Sequence, residues 1–253
     1  MSDTTLPTAT RAPSYDISRL RIFLHGPPKS GKSTWAASWP NALFLSTERG
    51  LEYLNVAEKS INDWDHLIDV IDVLAAGGHG FKTIIIDTMD IAASMARDAV
   101  CKKYGEEFEG DGNLGWGKGT TMIAASIERM LRKLAALPYG VILISHTEHK
   151  AIKKKAGLEI KKAQPTLHEK VNRLILGWVD MVLYMDQDEV IGSDGKLHEI
   201  RVFRTAASAY WEAGDRTHCL PATLPVPMSG GYDAFVAALK GDKSTTTNTK
   251  EKE

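Results

Sequence analysis

The sequence predicts an α/β fold in which a mostly parallel central sheet is flanked by helices and closes with a C-terminal β-hairpin. Three observations predict it. Short β-branched runs such as Thr83-Ile84-Ile85-Ile86 and Val141-Ile142-Leu143-Ile144 alternate with stretches of helical period, the pattern of strands joined through helical crossovers. Each of these runs is apolar throughout, as expected of strands buried on both faces. The last two strand-like runs are separated by Gly192-Ser193-Asp194-Gly195, a composition that turns a chain back on itself.

The elements follow in order. Residues 1–16 are rich in Thr, Ser and Pro, and residues 241–253 in Ser, Thr, Asn, Lys and Glu. Both have little to bury and read as a flexible N-terminal tail and a disordered C-terminal one, which leaves 17–240 as one folded domain. Residues 20–24 form the first expected strand, followed by a Gly/Pro-rich loop and a helix from Lys32. Residues 42–46 are the second strand, 61–75 an amphipathic helix, and 82–86 an apolar strand ending at Asp87. A long helix over 120–137 is stopped by Pro138. Strands are expected at 140–145, 179–185 and 199–205, the last two making the hairpin.

Hydrophobic residues make up 43% and charged residues 25% of the chain, an ordinary balance for a self-sufficient core. No apolar run approaches the ~18 residues that span a bilayer, and the N-terminus lacks the basic-then-apolar order of a secretory signal. The expectation is a cytoplasmic protein without a membrane segment. Cys101 and Cys219 are the two cysteines and read as reduced residues with no chemical role. A net charge of −1 argues against a globally basic nucleic-acid binder but says nothing of local patches.

Between the first strand and first helix, Gly26-Pro27-Pro28-Lys29-Ser30-Gly31-Lys32-Ser33 fits G-x-x-x-x-G-K-[ST]. Gly26 and Gly31 permit consecutive backbone N–H groups to point inward, and the helix N-terminus adds a positive dipole end, so the loop cradles an anion. This predicts an ATP site formed by Gly26, Pro27, Pro28, Lys29, Ser30, Gly31, Lys32, Ser33 and Thr34. Lys32 would reach the β- and γ-phosphates and Ser33 would ligate Mg2+. A carboxylate at a strand end assists that ion, and Asp87 supplies one; its structural alternative is a helix N-cap. Thr88 follows Asp87, so the water-activating carboxylate has to come from elsewhere. Glu48 is the candidate, just past the second strand at the edge where open α/β sheets bind ligands; the alternative is a loop acid paired with Arg49. His146 occupies the same edge, either as a sensor of the γ-phosphate region or as a satisfied structural histidine.

Residues 149–173 carry Lys150, Lys153, Lys154, Lys155, Lys161, Lys162, Lys170 and Arg173 against Glu159 and Glu169. Gly157 and Pro165 interrupt any helix, which predicts a mobile basic loop able to follow a phosphate backbone. A solvated basic loop without a partner is the other reading. The loop itself has no aromatic stacking residue, which favours sequence-independent contacts.

The order P-loop, then Phe44-Leu45-Ser46-Thr47-Glu48-Arg49-Gly50-Leu51, then Ile84-Ile85-Ile86-Asp87-Thr88, then Leu143-Ile144-Ser145-His146 resembles the RecA-like recombinase core. More closely, it resembles the compact phage-encoded RecA-type ATPases associated with single-strand annealing and recombination. Two looser segments agree, Leu114-Gly115-Trp116-Gly117-Lys118-Gly119 and Gly214-Asp215-Arg216-Thr217, and the resemblance spans nearly the whole folded region. It implies a RecA-like P-loop NTPase core over 17–240, with Glu48 as catalytic base. The basic segment would be a DNA-binding loop tied to the γ-phosphate sensor, with Lys150, Lys153, Lys154, Lys155, Lys161 and Lys162 as its contacts. Arg201, Arg204 and Arg216 lie late in the chain, where the resemblance places cations completing a neighbouring subunit's ATP site; Arg204 and Arg216 are the candidates, and surface arginines paired with local acids such as Glu212 or Asp215 are the other reading. His146 stands where recombinases often place Gln, a departure from the strand-exchange pattern. The function expected is a DNA-stimulated ATPase that binds single-stranded DNA and promotes recombination or annealing. It would work as a homo-oligomeric ring or filament in a bacterial host cell, alongside a single-strand-binding or other replication protein. The alternatives are a P-loop kinase acting on a small molecule or protein, for which no arginine-rich lid is evident, and a non-enzymatic, nucleotide-dependent loader of a replication protein.

Overall fold

The computed structural model describes residues 6, 10, 15–153, 157, 159–192 and 194–241. Most of the two expected tails, and Lys154 and Lys155 of the basic segment, lie outside the described residues.

In chain order the elements are β1 (Arg21–Gly26), α1 (Lys32–Ala36), β2 (Ala42–Ser46), β3 (Ala57–Ser60), α2 (Trp64–Ala76), β4 (Thr83–Asp87), α3 (Met89–Tyr104) and α4 (Lys118–Ala136). They continue as β5 (Gly140–Lys153), β6 (Glu159–Pro165), α5 (Glu169–Trp178), β7 (Met181–Ile191), β8 (Leu197–Arg204), β9 (Gly214–Asp215), β10 (Thr223–Pro225) and α6 (Gly231–Leu239). Across the sheet the order is β10-β8-β7-β1-β5-β4-β2-β3. From β7 to β3 all neighbours pair in parallel, while β8 pairs antiparallel with β7, and β10 with β8. The fold class and the C-terminal hairpin are as the sequence predicts.

The apolar strands bury both faces because their side chains alternate between two cores. Phe23, Ile84, Ile86, Val141 and Leu143 pack with α2, α3, α4 and α5 on one side. Ile22, Leu24, Ile85, Ile142 and Ile144 pack with Trp35, Trp39 and Phe235 on the other. The expected core positions Ile123, Ile127, Met130, Leu131 and Leu134 of α4 lie in the first of these clusters.

Several elements escaped the sequence reading, among them β9, β10 and α6 late in the chain and, earlier, β3 and α3. β3, Ala57–Ser60, is an exposed edge strand without an apolar residue beyond alanine, so it carries no hydrophobic signature. α3 turns its face to the core largely through small residues, Ala92 and Ala96 beside Met89 and Val100, which weakens the apolar contrast a helix search depends on. The helix expected at 61–75 starts later because Asp63 caps it, its side chain accepting from the His66 N–H at 2.8 Å.

The basic segment is the larger correction. Its described residues are mostly strand and helix: β5 runs unbroken past His146 to Lys153 and pairs antiparallel with β6, and α5 follows. Gly157 lies between the two strands with φ 80°, and Pro165 closes β6, where a missing N–H costs least. Alternating lysines concealed a strand pattern that main-chain pairing satisfies.

Candidate active site

The parallel register places the critical residues on one edge. Gly26 at the end of β1 pairs with His146, and Ser46 at the end of β2 pairs with Asp87. β5 lies between β1 and β4, so Asp87 sits two strands from the phosphate loop and not on an immediate neighbour of β1. It is nevertheless reached from the loop: Ser33 Oγ donates to Asp87 Oδ2 at 2.6 Å. Thr88, not Asp87, caps α3, which removes the N-cap reading of Asp87.

The loop's two glycines have separate reasons. A Cβ at Gly26 would lie 2.8 Å from the Met185 carbonyl oxygen, so β7 passes too closely for any side chain. Gly31 holds φ 95° and is approached by the Arg201 guanidinium. α1 is five residues long, so the aligned-dipole contribution expected of it is small. The loop amides and Lys32 are therefore the groups that would meet an anion there. That lysine is 5% exposed and donates to the Gly26 and Pro27 carbonyls at 2.9 and 2.8 Å. Burial pulls its pKa down, against the opposing pull of Asp87, Asp90 and Glu48.

Opposite the loop is an acidic wall. Burial pushes the Asp87 pKa up, partly offset by the Ser33 hydrogen bond. Thr47 joins the tips of β2 and β4: its N–H donates to the Asp87 carbonyl at 2.9 Å, and its hydroxyl accepts from the Thr88 N–H at 2.8 Å. Ser46 Oγ donates to the Glu48 carbonyl at 2.7 Å. Glu48 is thereby held beside the site, its Oε1 3.5 Å from His146 Nε2. Among the described residues no ion pair joins Glu48 to Arg49, so the two expected active residues meet each other.

Asp90 was not foreseen. It accepts from Ser145 Oγ at 2.8 Å and from the His146 N–H at 2.9 Å, and its pKa is raised by burial. It fastens the first turn of α3 to β5 and so sets the position of His146. A second carboxylate in Asp87-Thr88-Met89-Asp90 was the available signal.

The late arginines divide. Arg204 is not a free cation awaiting a neighbour: it pairs with Asp186 and Asp188, both at 3.0 Å, and its guanidinium stacks on Trp211. Arg216 donates to the Gly177 carbonyl at 2.6 Å, next to the start of β7 and at the sheet edge opposite the phosphate loop. Arg201 sits at the loop itself.

The hairpin lysines also divide by face. Lys150 and Lys162 are cross-strand partners, with Lys150 paired to Glu148 at 2.8 Å and Lys162 to Glu212 at 2.5 Å. Lys153 and Lys161 project from the other face, are exposed, and have no ion pair among the described residues.

The site fits a magnesium–nucleotide complex. Ser30 Oγ, Thr88 Oγ1, His146 Nδ1 and Arg201 Nε are buried without hydrogen-bond partners, an accumulation of unmet polar groups around one edge. Ser33 and Asp87 are the residues that would hold Mg2+. Among the described residues no cluster of three or more His, Cys, Asp or Glu could hold a metal.

A family model described as an AAA domain, AAA_24, matches residues 18–217, a span that includes the phosphate loop, Glu48, Asp87, Asp90 and His146. The chain belongs to this AAA domain family. The AAA domain is of the P-loop ATPase kind, a domain type that in general binds and hydrolyses a nucleotide. The SPbeta prophage-derived uncharacterized protein YorG of Bacillus subtilis (strain 168) is 28% identical over 174 residues, 67% of this chain and 51% of that protein. The chain spans about half the length of this curated relative. Among the described residues no helix of the AAA domain is long and apolar enough to cross a membrane.

Proposed function

We propose that the protein is a phage-associated, RecA-like ATPase that binds single-stranded DNA and promotes its annealing or recombination as a homo-oligomer. One observation carries the reading. β5 bears His146 at the nucleotide edge, against Glu48, and continues without a break into the lysine-bearing hairpin. A change at the phosphates is thus connected to a basic surface by a single strand. The prophage origin of the relative agrees with a phage setting.

In this reading the loop amides hold the nucleotide phosphates, and Lys32 turns from the Gly26 and Pro27 carbonyls toward them. Mg2+, when bound, neutralises charge on the phosphate oxygens. Glu48 orients the attacking water and accepts its proton. His146, fixed through its backbone by Asp90, shifts against Glu48 as the γ-phosphate comes and goes, and β5 carries that shift to the hairpin.

ATP turnover measured with and without single-stranded DNA at low salt tests the proposal. Stimulation severalfold, with DNA binding that weakens steeply as salt rises, is expected. Turnover indifferent to DNA, together with no DNA binding with or without ATP, would refute it and favour a nucleotide-dependent loader.

A further inference from the structure

Arg201 and Arg204 stand three residues apart on β8 and so project from opposite faces of the strand. Their surroundings differ in kind. Arg204 is satisfied by two carboxylates and Thr223. Arg201 has no carboxylate partner among the described residues: its Nη2 donates to the Pro227 carbonyl at 3.2 Å and meets the Met228 sulfur at 3.0 Å. Its Nε is buried without any partner, although an arginine has five N–H donors to place. The guanidinium lies against Gly31, close enough that a Cβ on that residue would collide with it.

The strand pairing produces this placement. β8 lies beside β7 with Arg201 opposite Gln187, and β7 runs beside β1, whose end becomes the phosphate loop. The chain after β10 is tied to Arg201 by the Val226 N–H donating to its carbonyl at 2.8 Å. A cation that is uncompensated, partly desolvated and set on a phosphate-binding loop lacks only an anion.

We propose that Arg201 is a phosphate-binding residue for the nucleoside polyphosphate, supplied by the same chain that supplies the phosphate loop. The inference rests on reading residues 26–34 as the nucleotide site, and goes beyond it by adding a second cation to Lys32. Because Arg201 is on the hairpin strand and reaches the segment at Pro227–Met228, nucleotide binding would also secure that segment against the loop.

Two measurements test it. Calorimetric titration of ATP is made into wild type, Arg201→Gln and Lys32→Ala. Arg201→Gln is expected to weaken ATP binding about tenfold or more, as for a lost hydrogen bond to a charged group, with little change in nucleotide-free melting temperature. Arg201→Gln binding ATP within twofold of wild type, while Lys32→Ala binds poorly, overturns the inference alone. Wild type and Lys32→Ala binding ATP equally overturns the nucleotide-site reading and this inference with it. Should Arg201→Gln not fold, phenylglyoxal labelling of the intact wild-type chain, read by mass spectrometry, decides: ATP is expected to protect Arg201, and equal labelling with and without ATP overturns the proposal.

Discussion

Glu48 and His146 approach to 3.5 Å from the tips of different strands, and in the proposed mechanism the Glu48 carboxylate is the group that acts on water. Replacing Glu48 with Gln keeps size and hydrogen-bonding capacity but removes the base. The expected result is an ATP affinity within a few-fold of wild type and a kcat lowered by about 10²-fold or more. Single-turnover kinetics check it, and normal turnover would transfer the role of base elsewhere. Asp90→Asn tests a positioning role by contrast, since Asp90 touches His146 only through the backbone N–H. Asp90 and Arg201 were harder to read from the sequence than Glu48, because a carboxylate in a helix's first turn and an arginine in a strand are commonplace.

At the scale of the element, the hairpin of β5 and β6 has two unequal faces. Lys150 and Lys162 already sit beside Glu148 and Glu212, so their ammonium groups are engaged by protein carboxylates and are less available to a phosphate. Lys153 and Lys161 are exposed and unpaired among the described residues. The double substitution Lys153→Ala and Lys161→Ala is therefore expected to weaken single-stranded DNA binding more than Lys150→Ala with Lys162→Ala. It should also flatten the slope of log affinity against log salt by roughly 1.4, about 0.7 for each phosphate no longer neutralised by a lysine. Fluorescence anisotropy across a salt series checks this, and equal effects from the two pairs would place the DNA elsewhere. The segment's charge was legible in its residues, but its conformation was not. Strand pairing there is supported by Ala163, whose N–H donates to the Tyr210 carbonyl at 2.7 Å, a hydrogen bond to a distant part of the chain.

At the scale of the whole molecule, His25 joins the phosphate loop's strand to the hairpin and to the late chain. Its Nδ1 lies 2.8 Å from Thr147 Oγ1, its Nε2 lies 2.7 Å from the Glu212 carbonyl, and its ring stacks on Tyr184. Burial lowers its pKa from 6.5 to about 4. The unfolded chain therefore binds more protons than the folded one between those values, so this residue's contribution to stability is complete above pH 6.5 and is lost as pH falls toward 4. The full loss corresponds to roughly 3 kcal/mol. Asp87 and Asp90, raised by burial, act in the opposite sense, losing stability as pH rises through their raised values. The difference between wild type and His25→Gln isolates the histidine: urea unfolding at about pH 7 and about pH 5 should show a smaller acid loss in the variant. Parallel pH profiles would contradict it.

The phosphate loop, the alternation of strand and helix, and the acids at strand ends were determined by the sequence alone, because each is written in neighbouring residues as a backbone conformation or a period. Tertiary structure alone decided that Arg204 is neutralised by Asp186 and Asp188, that Arg201 stands on Gly31, and that a lysine-rich segment is a hairpin. These depend on which strands lie side by side and in what register. Such choices follow from burying two shared cores, and no single stretch of residues contains them.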